Sequence, residues 1–169
     1  MTERAGGLGA CTARLLRVSL EGESLTRLTP LLEADRAQAV ADLEADNRFA
    51  PHARPDAGDA GPYALRLTIY EGRLVFDIRR ADDTPWLAIG LALGPFRALI
   101  RDYYLLIDSL AKACEEGREA RIQAIDMGRR GLHNEGAELM VARLKGKVEI
   151  DLPTARRLFT LLCVLNQRL

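Results

Sequence analysis

The sequence predicts an α+β fold: an antiparallel sheet of about four strands, a β-meander plus an N-terminal strand, packed against a layer of about four helices. Three observations predict it. YALRLTIY and RLVFDIRR, residues 63–70 and 73–80, each alternate apolar with polar or small side chains, and only Glu71 and Gly72 separate them. Two such runs across a two-residue turn make an antiparallel hairpin. From Gly94 onward the apolar residues leave alternation for helical spacing. Strands thus precede helices, the order of an α+β domain and not of a βαβ array.

The elements follow in order. The small, glycine-rich start, residues 1–13, reads as a flexible tail. RLLRVSL, Arg14 to Leu20, has the pattern of a strand. Thr29 before Pro30 is a helix start, a hydroxyl that can cap followed by a ring already near helical φ. That helix should reach about Asn47, with Leu32, Val40 and Leu43 inward. Three prolines and two glycines in residues 51–62 make a flexible loop. After the hairpin, ADDTP turns the chain into a third meander strand, Trp86 to Leu93, with Asp82 and Asp83 as turn residues. Pro95 opens a helix whose stripe is Phe96, Leu99, Ile100, Tyr103, Ile107, Leu110 and Cys114. Another helix starts near Arg118 and ends around Lys145-Gly146. Asp151 can cap a last helix from Leu152, apolar on nearly every side from Leu158 to Leu165 except at Thr160. Such a helix belongs in the middle of a core.

Composition narrows the function. A chain of 169 residues, 48% hydrophobic and 28% charged, reads as one globular domain spanning residues 1–169. Lys and Arg number 24 and so do Asp and Glu, so no global field draws it to nucleic acid or an acidic membrane. With aromatics at 5% as well, nucleic acid is a disfavoured partner. Cys11, Cys114 and Cys163 are too widely spaced for a disulfide framework or a zinc site. Cys114 and Cys163, among apolar neighbours, are expected to be buried thiols. Without an apolar h-region or a bilayer-spanning run, a cytoplasmic location is expected.

Dinucleotide, phosphate-loop, zinc-protease and serine-hydrolase motifs do not occur. No cofactor or metal is expected, since His52 and His133 are the sole histidines. The stretch richest in chemistry is IDMGRRGLHNEGAEL, Ile125 to Leu139. If the helix runs through it, Ile125, Leu132, Gly136 and Leu139 share one face. Asp126, Arg129, Arg130 and His133 then share a flank, while Asn134 and Glu135 point elsewhere. If the helix breaks at Gly131, Asn134 becomes an N-cap, Glu135 enters a first turn, and exposed amides beside Arg129 and Arg130 can hold an anion. The unbroken phase of the apolar residues favours continuity. A second polar flank, Arg97, Arg101, Tyr104 and Asp108, recurs at helical spacing on the preceding helix. Two such flanks facing each other would make a phosphate or carboxylate pocket, and ion pairing between helices or plain solvation is the rival reading. His52 should be exposed and incidental. Arg156 and Arg157 sit badly for the dipole at a helix start, which favours a partner such as Asp151 or an anion.

At these residues the chain resembles a small uncharacterised protein family of alphaproteobacteria, one with a UPF label. The resemblance runs from about Ser19 to Leu165. It is carried by FAP (49–51), GPYALRL (61–67), RLVFDI (73–78), GPFRALIRDYY (94–104), IQAIDMGRRGLHNEG (122–136) and TARRLFTLLCVL (154–165). It implies a bacterial cytosolic protein and no particular activity. The family often has a cysteine where this chain has Ile107 and a histidine where it has Asn166, so a role that needs either group is not expected here.

The candidate ligand-binding residues are therefore Arg129, Arg130, His133, Asn134, Glu135, Arg97, Arg101 and Tyr104. Lacking a recognisable nucleophile–base pair, the chain reads as a cytosolic binding or regulatory domain. It would act through a protein partner or self-association, with a small anion at the arginines. The alternative is an enzyme on a phosphorylated or carboxylated metabolite, with His133 as general acid/base.

Overall fold

A computed structural model describes residues 12–52 and 61–167. Most of the expected tail, Cys11 within it, and residues 53–60 of the expected loop lie outside the described residues. Strand β1 (Leu15–Glu21) leads to helix α1 (Pro30–Ala45) and a short strand β2 (Phe49–Pro51). The meander β3 (Tyr63–Tyr70), β4 (Arg73–Arg80) and β5 (Pro85–Ala92) follows. Helices α2 (Arg97–Glu116) and α3 (Glu119–Leu144), strand β6 (Val148–Ile150) and helix α4 (Leu152–Leu165) complete the order. The architecture is α+β, as the residue patterns predict.

The local signals act as expected. Leu65 faces Ile78 and Leu67 faces Phe76 across the β3–β4 hairpin, which turns at Glu71 and Gly72 with φ of 48° and 72°. Positive φ at both central residues is the twist-matched hairpin turn. Thr29 accepts a hydrogen bond from the Leu32 amide to start α1, and Asp151 accepts one from the Thr154 amide to start α4. Asp82 accepts from both the amide and the hydroxyl of Thr84 in the β4–β5 turn.

The sheet differs from the expectation in one respect. Its order is β1-β3-β4-β5, and β1 lies parallel to β3, so it is mixed rather than wholly antiparallel. A parallel neighbour needs a long crossover, and α1 with β2 supplies it. Side-chain alternation assigns a strand its faces but not its direction. The outer edge of β1 is closed by α1. Asn47 accepts a hydrogen bond from the Leu15 amide and donates to the Leu15 carbonyl, while Glu44 accepts from the Val18 amide. Strands β2 and β6 pair antiparallel as a separate ribbon.

Inward residues of β3 and β4 (Leu65, Leu67, Phe76, Ile78) share a core with Leu158, Phe159, Leu161 and Leu162 of α4. All residues of α4 from Leu158 to Leu165 are buried, Thr160 included, and the Thr160 hydroxyl donates to the Arg156 carbonyl. The outward face of the sheet carries charge instead, with Arg79 bound to Asp77 and Arg66 to Asp83. Cys163 is buried as expected, but Cys114 is exposed. At the end of α2 the inward position falls to Ala113, which turns the neighbouring thiol outward.

Candidate functional site

Helix α3 is unbroken from Glu119 to Leu144, so the reading that breaks at Gly131 is not the one adopted. Ile125, Leu132 and Gly136 are buried along one face, and Leu139 is half-buried beside them. The stretch holds three glycines of different kinds. A Cβ on Gly136 would lie 2.5 Å from the Phe159 ring, so α3 meets α4 there at a distance only glycine permits. A Cβ on Gly128 would make ordinary contact with Leu106 at 3.6 Å, and one on Gly131 would meet nothing within 4 Å.

This register turns Arg129 inward. Its guanidinium holds both carboxylate oxygens of Asp35, on α1, at 2.7 and 2.8 Å. Tyr103, on α2, donates its hydroxyl to the same carboxylate at 2.7 Å. One carboxylate thus ties three helices together. Burial, and then the neighbouring Asp35 charge, push the Tyr103 phenol far above its ordinary range, so it stays a donor. The side chains of Arg129 and Asp35 are 23% and 15% exposed, dry enough for each to depend on the other.

His133 sits one turn on. Its Nδ1 lies 2.8 Å from the Arg129 carbonyl, which can only accept, so Nδ1 carries the proton. Its ring meets Tyr103 and Phe159 edge to face at 6.1 and 5.9 Å. Burial pushes the imidazole pKa down; the hydrogen bond to the Arg129 carbonyl opposes this, and the charges of Arg129 and Arg156 add to it. The ring is therefore neutral near pH 7, with Nε2 as an acceptor that has no hydrogen-bond partner among the described residues.

Asp126, Arg129, Arg130 and His133 line an open concavity of about 380 Å³, closed on its far side by Arg156 from α4. Arg130 and Arg156 are exposed and have no ion-pair partner among the described residues. Arg157 does have one, Asp42 of α1 at 3.6 Å. Asn134 and Glu135 are not brought to this concavity. Asn134 lines a neighbouring hollow with Leu152, Pro153 and Arg156, and Glu135 is exposed. His52 is exposed as expected.

The second flank does not face the first. Arg97, Arg101, Tyr104 and Asp108 line a different groove of about 400 Å³, together with Leu32 of α1 and Asn166 beyond α4. The Tyr104 hydroxyl donates to the Cys163 carbonyl, so this ring is fixed as a wall. Ile107 and Asn166 both line this groove.

Asp35 escaped the reading of the sequence, yet a signal was there. It falls between Leu32 and Ala39 at helical spacing, on the buried stripe of α1, where a carboxylate requires a partner. Among the described residues no group of three or more His, Cys, Asp or Glu is placed to hold a metal ion. No helix among them is long and apolar enough to cross a membrane.

Comparison with known proteins bears out the resemblance at the level of the family. The model of Uncharacterised protein family UPF0262 matches residues 12–168. The chain is 67% identical to a UPF0262 protein of Granulibacter bethesdensis, over 95% of this chain and 93% of that relative. It is 57% identical to one of Acidiphilium cryptum, over 97% of this chain and 99% of the relative. For one of Brucella canis the identity is 48%, over 92% and 95%. No solved structure matches the chain. By this family model and these relatives, the chain belongs to the uncharacterised protein family UPF0262.

Proposed function

We propose that this chain is a non-catalytic, cytoplasmic binding domain that holds an anionic group of a protein partner, a carboxylate or phosphate, against Arg130, His133 and Arg156. One observation carries the reading. Three arginines from two helices line one concavity with His133, and among the described residues only Arg129 is paired with a carboxylate. Arg130 and Arg156 have no ion-pair partner among the described residues, and Asp126 is the one carboxylate that lines the concavity with them there. Guanidinium forks suit planar or tetrahedral oxyanions, which they hold with paired, charge-assisted hydrogen bonds. An arriving anion also draws a proton onto His133, because an opposite charge favours the imidazolium.

The open shape suits a group presented by a larger partner better than an engulfed metabolite. Leu152, 51% exposed beside Arg156, offers that partner an apolar contact at the rim. A second copy of this chain is one such partner. The free thiols Cys114 and Cys163 suit a reducing compartment. The enzymatic alternative would use the same neutral imidazole as a base. Beside it, however, the concavity offers only the exposed Asp126 as a further acid/base group.

The test is thermal unfolding with pyrophosphate, for wild type and for the Arg130→Ala/Arg156→Ala protein, against sodium chloride of matched ionic strength. At ten times Kd a ligand stabilises by about 1.4 kcal/mol, or roughly 3–6 °C in a protein this size. Wild type should gain that shift and the double variant should lose it while melting normally without ligand. A shift that survives in the variant, or that chloride reproduces, would sink the reading.

A further inference from the structure

The groove on α2 is separate from the arginine face and built differently. Its floor is apolar: Leu32, Ile100 and Ile107 line it, although each is 5% exposed or less. Leu105, 59% exposed, forms an apolar wall beside the fixed Tyr104 ring. A volume of about 400 Å³ over such a floor falls in the size range of small-molecule sites. The charges around it are unspent. Arg97 has no ion-pair or hydrogen-bond partner among the described residues, and Arg101 has only Asp102, at 3.8 Å on the exposed surface. Gln167 also lines the groove, held by its Nε2, which donates to the Arg27 carbonyl.

We infer that this groove binds a small amphipathic anion, an apolar body with one carboxylate or phosphate head. The head pairs with Arg97 and Arg101, one helical turn apart on the same flank of α2. The body lies over Leu32, Ile100 and Ile107 and against Leu105, which it removes from water. Asp108, also without a partner among the described residues, stands about 16 Å along α2 from Arg97. Its charge repels the head from that end of the groove and so fixes which way round the ligand lies. This site stands independently of the anion-holding face of Arg130 and Arg156.

The experiment is a calorimetric titration with two probes, N-octanoylglycine, which has a carboxylate and an amide N–H, and octyl phosphate. Octanol serves as the headless control. Wild type should bind at least one probe saturably, and the tighter of the two identifies the head. Octanol should show no saturable binding. Arg97→Gln/Arg101→Gln changes only exposed side chains and should weaken the bound probe about tenfold or more, the scale of a lost charge-assisted pair. Arg130→Gln/Arg156→Gln should leave that affinity unchanged. The inference is overturned if neither probe saturates, if octanol binds as well, or if the Arg97/Arg101 variant binds as tightly as wild type.

Discussion

Arg129 and Arg130 are neighbours in the sequence and belong to opposite regions of the molecule. The inner side of α3 carries Arg129, His133 and Gly136, each fitted to a partner on another helix: Asp35, Tyr103 and Phe159. The outer side carries Arg130, Gly131, Asn134 and Glu135, exposed in every case. One helix therefore does two jobs at adjacent residues. The Arg129 charge, spent on cohesion, is unavailable for a ligand, whereas His133 keeps its Nε2 unpartnered among the described residues and the outer side leaves Arg130 unpaired there. The charge of Arg129 is already met, so it shapes the concavity, while Arg130 and Arg156 are the groups with charge to offer.

Substitutions sharpen or break this contrast, beginning with the largest effect. Asp35→Ala strands the Arg129 guanidinium and the Tyr103 hydroxyl in a mostly buried place. Stability should fall by about 3 kcal/mol, a midpoint loss of roughly 6–12 °C in denaturation scans. A loss below about 1 kcal/mol would mean the inner side is not held together by that carboxylate. Gly136→Ala drives a methyl into the Phe159 ring and should cost about 1–3 kcal/mol by overpacking. Gly131→Ala, on the same helix, should stabilise by up to about 1 kcal/mol, because it restricts the chain and touches nothing. If the two alanines had the same sign, the inner and outer sides would not differ as described. Arg130→Ala should change stability by less than about 0.5 kcal/mol, as exposed unpaired residues do.

Acidity probes the joint between the two sides. The His133 pKa is lowered in the folded protein, so the unfolded chain binds more protons as pH falls through the ordinary histidine range. The contribution of His133 to stability is then complete at pH 8. It declines below about pH 6.5 and levels off once pH passes beneath the lowered folded value. His133→Gln should remove that part of the wild-type pH profile, as read from paired melting curves. A wild-type curve that rises relative to the variant on acidification would have the wrong sign.

Much of the fold was legible because its signals are local. Turn chemistry at Glu71-Gly72, the Thr29-Pro30 and Asp151 starts, and the unbroken phase of Ile125, Leu132 and Gly136 each act within a few residues. Other features depend on distant partners and leave little local trace. The parallel direction of β1 is decided by a crossover more than forty residues long between Glu21 and Tyr63. Strands β2 and β6, three residues each, are too short to show alternation. Of the candidate site, Arg129, Arg130 and His133 line one concavity, but nothing near them in the chain shows that Arg129 turns inward or names Asp35 as its partner. The two arginine-rich flanks looked equivalent along the sequence, and only tertiary structure sends them to separate grooves.

The most direct measurement of the central claim is an NMR titration of the His133 imidazole with and without pyrophosphate. If Arg130, His133 and Arg156 form an anion-holding face, the free protein should titrate below the ordinary histidine value of about 6.5, and saturating pyrophosphate should move that midpoint up. The Arg130→Ala/Arg156→Ala protein should lose the upward movement. An imidazole whose midpoint and resonances ignore pyrophosphate would contradict the account and leave this face as packing alone.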